Sequence, residues 1–233
     1  MGDRKDLQPA GTVILLSGGL DSCVTLAIHR RNTGPLAALY VNYGQIAAKR
    51  EERAATMQAD HYGIEIEKVE LPFLSRWSNS ALFDSSKLPR PDSLEGAEAI
   101  ESAAKVWVPA RNALLLSVAA SFAEARGFGY IAMGCNFEEG ATFVDNSSEF
   151  AKTADKFISI ATNFKVRLST PLLNLSKADI VDTGLRLLAP LSLIWSCYEA
   201  GEAMCGSCES CLRLKRALSG NPSAKSVSLK FTR

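Results

Sequence analysis

Thr12-Val13-Ile14-Leu15-Leu16-Ser17-Gly18-Gly19-Leu20-Asp21-Ser22 is the stretch that decides the fold. Its first five residues form an apolar run without alternation, the pattern of a parallel strand buried on both faces. Ser-Gly-Gly ends the run, and Leu20, Val24, Ala27 and Ile28 then recur at helical spacing. A strand that turns through glycines into a helix leaves free backbone N–H groups and a helix N-terminus where a phosphate can lie. The hydroxyls of Ser17 and Ser22 add donors. Asp21 cannot bind phosphate directly and either orients the loop or holds a Mg²⁺ that bridges phosphates. The plainer alternative is a Gly-Gly turn with serine and aspartate as helix caps.

Outward from this loop, Asn32-Thr33-Gly34-Pro35 stops the helix, and residues 36–41 supply a second strand, which completes a βαβ unit. The spacing predicts an amphipathic helix over 46–61, ended by Gly63, and a strand over 64–71. Residues 72–104 carry Pro72, Asn79, Pro89, Pro91 and several serines, and read as a long lid loop or a disordered insertion. Beyond them lie an apolar helix over 112–126, a core strand over 130–133, a helix over 147–163 and a last strand over 166–168. A further helix opens at Ser176-Lys177-Ala178-Asp179 and runs to Leu188. Strands alternating with helices give an α/β class with a doubly wound, mostly parallel sheet, whose ligand belongs beyond the carboxyl ends of the strands.

The 233 residues, 47% of them hydrophobic, suffice for one such domain with a small appendage. We expect an ATP-binding α/β domain over 1–190 and a cysteine-bearing segment over 191–233 packed on it. A formal net charge of +1 provides no strongly basic face for nucleic acid and points to a small-molecule substrate. Residues 1–12 are polar with no apolar signal core, and no apolar run reaches the roughly 18 residues that span a bilayer. The expected location is cytoplasmic, with no membrane contact.

In a reducing compartment, four of the six cysteines crowded into Cys197-x7-Cys205-x2-Cys208-x2-Cys211 read as metal ligands before they read as disulfides. Four thiolates close a tetrahedral shell around Zn²⁺ with no open position, which makes the site structural. An iron–sulfur cluster or redox-active thiols are the other readings of the same spacing.

The spacing of residues 17–22 differs from the Gly-x-x-x-x-Gly-Lys-Ser/Thr loop of phosphoryl transfer. It resembles the loop of the N-type ATP pyrophosphatases, which cleave ATP between the α and β phosphates and leave AMP on an oxygen. On that resemblance the ATP-binding set is Leu16, Ser17, Gly18, Gly19, Leu20, Asp21, Ser22 and Thr25. Together with Tyr43-Gly44-Gln45, Val108-Pro109-Ala110-Arg111-Asn112, Thr170-Pro171-Leu172, Lys177, Trp195-Ser196-Cys197-Tyr198 and Cys205-Gly206-Ser207-Cys208-Glu209-Ser210-Cys211, the loop resembles the 7-cyano-7-deazaguanine synthases of queuosine precursor synthesis. The resemblance spans about residues 12–215.

It implies a ligase that adenylates 7-carboxy-7-deazaguanine, accepts ammonia to form an amide, and activates the amide again to give a nitrile, with ATP, Mg²⁺ and structural Zn²⁺. A homodimer is also implied. Charge developing on the α-phosphate and acyl oxygen calls for fixed donors, a task that falls to Arg111, Asn112 and Lys177; helix-end capping and surface charge are their alternative roles. Tyr43 and Gln45 follow a strand's carboxyl end and read as substrate contacts or as turn residues.

The family pattern is broken in places. Gly134-Cys135-Asn136-Phe137-Glu138-Glu139 and Thr142-Phe143-Val144-Asp145-Asn146-Ser147 stand where members carry Gly-x-Asn/Cys-x-x-Asp and Tyr-Pro-Asp-Cys-Arg, Ile46-Ala47 replaces an Arg-His pair, and Ala110 replaces a glycine. Asp145 matches the paired donors of a guanine-like edge, or favours the start of a helix for which Asn146-x-x-Glu149 is a capping box. Glu138 and Glu139 bind Mg²⁺ or the amine, or are solvated loop charges. His29 and His61 fall on helices and read as surface or helix-end residues, so a serine triad is not expected. Three alternatives are weighed: a relative that passes the activated deazaguanine to a protein amine, a tRNA-modifying adenylating enzyme, and a zinc-stabilised nucleotide binder without catalysis.

Overall fold

The computed structural model describes residues 10–32 and 34–233. Most of the polar N-terminal stretch and Thr33 therefore lie outside the described residues. The first strand, β1 (Thr12–Leu15), is buried along its whole length and pairs in parallel with β2 (Leu36–Asn42) on one side and β4 (Tyr130–Ala132) on the other. The outer strands β3 (Glu65–Glu70) and β5 (Arg167–Ser169) complete a five-stranded parallel sheet of order β3-β2-β1-β4-β5. The chain winds outward from β1 to β3 and then crosses back to β4. The switch point lies between β1 and β4, where the carboxyl ends open a crevice.

Successive side chains of β1 go to opposite faces. Val13 and Leu15 pack with helices α5 (Arg111–Arg126) and α7 (Ser148–Ala161). Ile14 and Leu16 pack with α1 (Leu20–His29) and α2 (Ala48–Tyr62). This two-sided burial explains the unalternating apolar run, and it confirms the doubly wound α/β class. A third apolar cluster joins Leu20 and Val24 of α1, Ile180 and Val181 of α8 (Lys177–Arg186), and the four clustered cysteines with α9 (Glu209–Ser219). The C-terminal segment thus shares its core with the sheet domain.

Several expectations change. Residues 72–104 are not a bare loop: α3 (Phe73–Trp77), two 3₁₀ turns and α4 (Gly96–Val106) fill the region. The prolines stop at Pro91, and the alanine-rich run after Gly96 buries Ala99, Ser102, Ala103 and Val106 on one face. The short helix α6 (Phe137–Thr142) is too brief to show a period, and α9 is hidden in the sequence behind its cysteine spacing. Ser147, not Asn146, caps α7, its hydroxyl accepting the N–H of Phe150. His29 is buried rather than superficial, paired with the Ser169 hydroxyl across 3.2 Å, and burial lowers its pKa. Ala110, where the family has glycine, holds a left-handed φ of 52° just before α5.

Among the described residues, no single helix is long and apolar enough to cross a membrane; α4 and α5 reach that length only together, bent by 47°.

Candidate active site

The loop after β1 takes its shape from two packed neighbours. Gly18 has φ +82°, and a Cβ there would stand 2.6 Å from the Glu51 carbonyl oxygen and 2.8 Å from Ala54 Cβ of α2, so only glycine fits. The Gly18 carbonyl accepts hydrogen bonds from the buried Gln58 amide at 2.8 Å and from the Trp195 backbone N–H at 2.9 Å. Gly19 then caps α1 in an extended conformation with no side chain on the helix's first N–H groups, which leaves them for an anion. The Ser17 and Ser22 hydroxyls are 3.2 Å apart on the same rim. Thr25 lies one turn deeper, fully buried, and does not reach the crevice.

The crevice has two arms. One, of about 240 Å³, lies over the strand ends, between the loop and Leu15, Leu39, Val41, Leu115 and Met133. The other, of about 190 Å³, runs past Gly19 and Lys177 toward Trp107, Phe143, Trp195 and Arg213. Ser17, Asp21, Glu51, Arg111, Glu139, Asn146 and Tyr198 border both.

Charged groups are tied together at the junction. Lys177 Nζ is 2.5 Å from Asp21 Oδ2 and 2.6 Å from Glu139 Oε1. Its position is set by the capping box of Ser176 and Asp179 at the start of α8. Burial pushes Asp21 up to about 6 against the pull of Lys177. For Glu139, burial is outweighed by Lys177, with Arg213 and Arg111 assisting, and its pKa falls below the ordinary value. Lys177 itself is carried upward by the two carboxylates, which overcome its own burial.

Arg111, at the start of α5, donates to the Tyr43 hydroxyl at 3.2 Å, and its guanidinium lies 5.6 Å from the centre of that ring. Asn112 donates to the Asp145 backbone carbonyl at 3.1 Å. Gln45 is spent inward: its carbonyl oxygen accepts the Tyr43 N–H, and its amide donates to Glu51 at 2.7 Å. Burial raises Glu51 to about 7.

The crevice therefore gathers Leu16, Ser17, Gly19, Leu20, Asp21, Ser22, Tyr43, Gln45, Arg111, Asn112 and Lys177. Besides Thr25, two candidates are turned aside. Glu138 pairs with Arg216 and accepts the Lys177 backbone N–H. Asp145 is buried, its carboxylate accepting from the Asn146 amide, and Asn146 is the one that borders the crevice.

All six cysteines are free and buried. The Sγ atoms of Cys197, Cys205, Cys208 and Cys211 lie within 4.8 Å of one another, with Cys205 and Cys211 4.0 Å apart. Zn–S bonds of about 2.3 Å set tetrahedral sulfurs about 3.8 Å apart, so the set fits a closed zinc shell. So tight a cage suits a single ion rather than a multi-iron cluster. Backbone N–H groups of Glu199 and Cys205 donate to Cys197 Sγ, both at 3.3 Å, and those of Ser207 and Cys208 to Cys205 Sγ at 3.5 and 3.3 Å. Such N–H···S bonds hold the sulfurs in place around a bound metal.

A family model described as "Queuosine biosynthesis protein QueC" matches residues 11–221. The chain belongs to the QueC family. Among its curated relatives, the 7-cyano-7-deazaguanine synthase of Carboxydothermus hydrogenoformans is 45% identical over 211 residues, covering 90% of this chain and 98% of the relative. That of Desulforudis audaxviator is 45% identical over 208 residues, covering 88% and 94%. Of the solved structures, the NMN synthetase from Francisella tularensis aligns with a TM-score of 0.48 and 16% identity over 97% of this chain and 91% of that one. This last likeness is too distant to add to the fold assignment, which stands on the strand order.

Glu51, Trp107 and Arg213 also border the crevice and carry no motif in the sequence, while Asn146 reads there as a helix cap and Glu139 as a ligand or a solvated charge. Glu51 and Arg213 sit in charge-rich helical stretches that read as solvated. The one available signal is the inward phase of their helices, since Ala54 and Ala55 share a face with Glu51, and Ala217 one with Arg213.

Proposed function

We propose that the crevice adenylates 7-carboxy-7-deazaguanine and that the chain is an ATP-dependent carbon–nitrogen ligase of the 7-cyano-7-deazaguanine synthase type. The observation that carries this is the glycine-shaped loop at residues 17–22, opening into the crevice of a chain that matches the QueC family over 11–221. A carboxylate oxygen attacks the α-phosphorus of ATP, the α–β bridging oxygen leaves with pyrophosphate, and an acyl adenylate remains. Ammonia attacks the acyl carbon, AMP departs with the C–O bond electrons, and a proton is lost to give the amide. The amide oxygen then attacks the α-phosphorus of a second ATP, pyrophosphate leaves, and loss of AMP and of both N–H protons gives the nitrile.

In this scheme the free N–H groups at the start of α1 and the hydroxyls of Ser17 and Ser22 hold the pyrophosphate. Arg111 presents its donors at the junction where charge develops, while Asn112, on the first arm, fixes the Val144–Asn146 turn through the Asp145 carbonyl. Lys177 acts as the fixed centre that orients Asp21 and Glu139. Those two carboxylates are the group best placed to hold a Mg²⁺, which would neutralise phosphate charge. Tyr43 and Gln45 form the wall that positions Arg111 and Glu51, while Asp145 and Glu138 support the substrate side from behind. Zinc held by Cys197, Cys205, Cys208 and Cys211 is structural and ties residues 191–233 to the domain formed by 1–190.

The relatives carry the synthase name, and neither a protein-amine acceptor nor a tRNA substrate is favoured. The working unit is taken as a cytoplasmic homodimer, which sedimentation would check. Pyrophosphate release from ATP tests the reading: it should depend on 7-carboxy-7-deazaguanine and leave AMP. Release of phosphate and ADP would refute it.

A further inference from the structure

Trp107, between α4 and α5, and Phe143, just after α6, present rings only 10° from parallel with centroids 6.5 Å apart. Both border the second arm of the crevice, which Leu15, Leu39 and Val41 of the strands do not line. Trp107 is half-buried and belongs to none of the apolar clusters among the described residues, while Phe143 lies only at the edge of the one built on Tyr43, Leu82 and Val108. A large aromatic side chain at a polar crevice, packed into no core, leaves its π-face for a ligand.

The two arms differ in chemistry. The first sets Leu15, Leu39, Val41, Leu115 and Met133 against the sheet, with Tyr40 and Tyr43 beside them, a slot for an adenine ring near the strand ends. In the second, the near-parallel rings of Trp107 and Phe143 share the lining with Gly19 and Lys177. Stacking on aromatic side chains selects flat, conjugated rings, and each such contact is worth enough to dominate the binding of a small heterocycle. Because Ser17, Asp21, Arg111 and Glu139 border both arms, a ring held by Trp107 and Phe143 directs its carboxylate to the junction where the α-phosphate must lie.

We infer that Trp107 and Phe143 are the specificity-determining grip for the acceptor, the fused planar ring of the acid stacking on both while ATP occupies the other arm. The inference rests on the function proposed above and assigns that substrate its place. It makes ring planarity the selected property, so that a saturated carboxylic acid of equal size is not adenylated.

Steady-state kinetics with the two substrates varied separately test it. Trp107→Ala and Phe143→Ala are expected to raise the KM for 7-carboxy-7-deazaguanine roughly 10- to 100-fold and to leave the KM for ATP within about twofold, whereas Trp107→Phe and Phe143→Tyr retain most of the affinity. Adding the acid should quench tryptophan fluorescence more strongly in the unaltered protein than in Trp107→Phe, where Trp195 is the tryptophan left on that arm. If the unaltered protein turns over the acid but the alanine variants leave its KM unmoved, or raise the KM for ATP instead, the grip is refuted and the function stands. An unaltered protein that neither binds nor activates the acid brings down the function and the grip together.

Discussion

Lys177 reaches across 156 positions of sequence to place its Nζ 2.5 Å from Asp21 Oδ2, so the helix after β5 is locked onto the loop after β1. With Glu139 on its other side, this lysine is paired twice, and in the proposed reaction it orients carboxylates more than it offers a free charge. Removing one member of a buried ion pair strands its partner and costs about 3–5 kcal/mol. Lys177→Ala should therefore lower both the thermal midpoint and the acid-dependent release of AMP, by a hundredfold or more. Asp21→Asn, which keeps shape and a polar contact, should spare stability better than activity. Equal activity in Lys177→Ala would contradict the role given to this triad.

Glu51 and Asp21 both have folded pKa values above their ordinary ones, about 7 and about 6, through burial. The fold favours their protonated forms, so their contribution to stability is complete below about pH 4 and is lost as pH rises through 6 to 7. A tenfold change in acidity corresponds to about 1.4 kcal/mol. Because Glu51 borders an open crevice, we discount its effect to about 1–2 kcal/mol. Melting curves from pH 5 to pH 8 should show the ligand-free protein losing stability relative to Glu51→Gln. A constant difference between the two across that range would count against the buried carboxylate.

At Ala110 the backbone is left-handed, a conformation that costs a residue with a Cβ about 1 kcal/mol. Ala110→Gly should stabilise the protein by up to that amount, partly offset by the entropy of the more flexible unfolded chain. Chemical denaturation measures it directly. A loss of stability would contradict the strained conformation.

The cysteine shell predicts one zinc per chain, no visible absorbance band, and unfolding or a large drop in melting temperature on strong chelation or in Cys205→Ser. Stoichiometric iron with a brown colour would overturn it.

How far the sequence could be read follows from what each signal encodes. β1 and its loop were legible because burial on both faces and a glycine turn leave a local trace, and the cysteines were legible because ligand spacing is itself local. Glu51 and Arg213 were not, and Glu139 was legible only as one of two possibilities. A charged residue on a helix looks solvated until a second element covers it, and here α5, α8 and the residue 191–208 stretch do so from far along the chain. The exchange of Asp145 for Asn146 at the crevice has the same origin: one 3₁₀ turn, Val144–Asn146, decides which of two adjacent polar side chains faces the ligand.

The central claim is that this crevice converts a deazapurine acid to a nitrile through AMP esters. Incubation of the protein with 7-carboxy-7-deazaguanine, ATP, Mg²⁺ and ammonium, followed over time by mass spectrometry, tests it most directly. The account predicts the amide first and the nitrile after it, with AMP accumulating; adenylate formation with neither amide nor nitrile would contradict it.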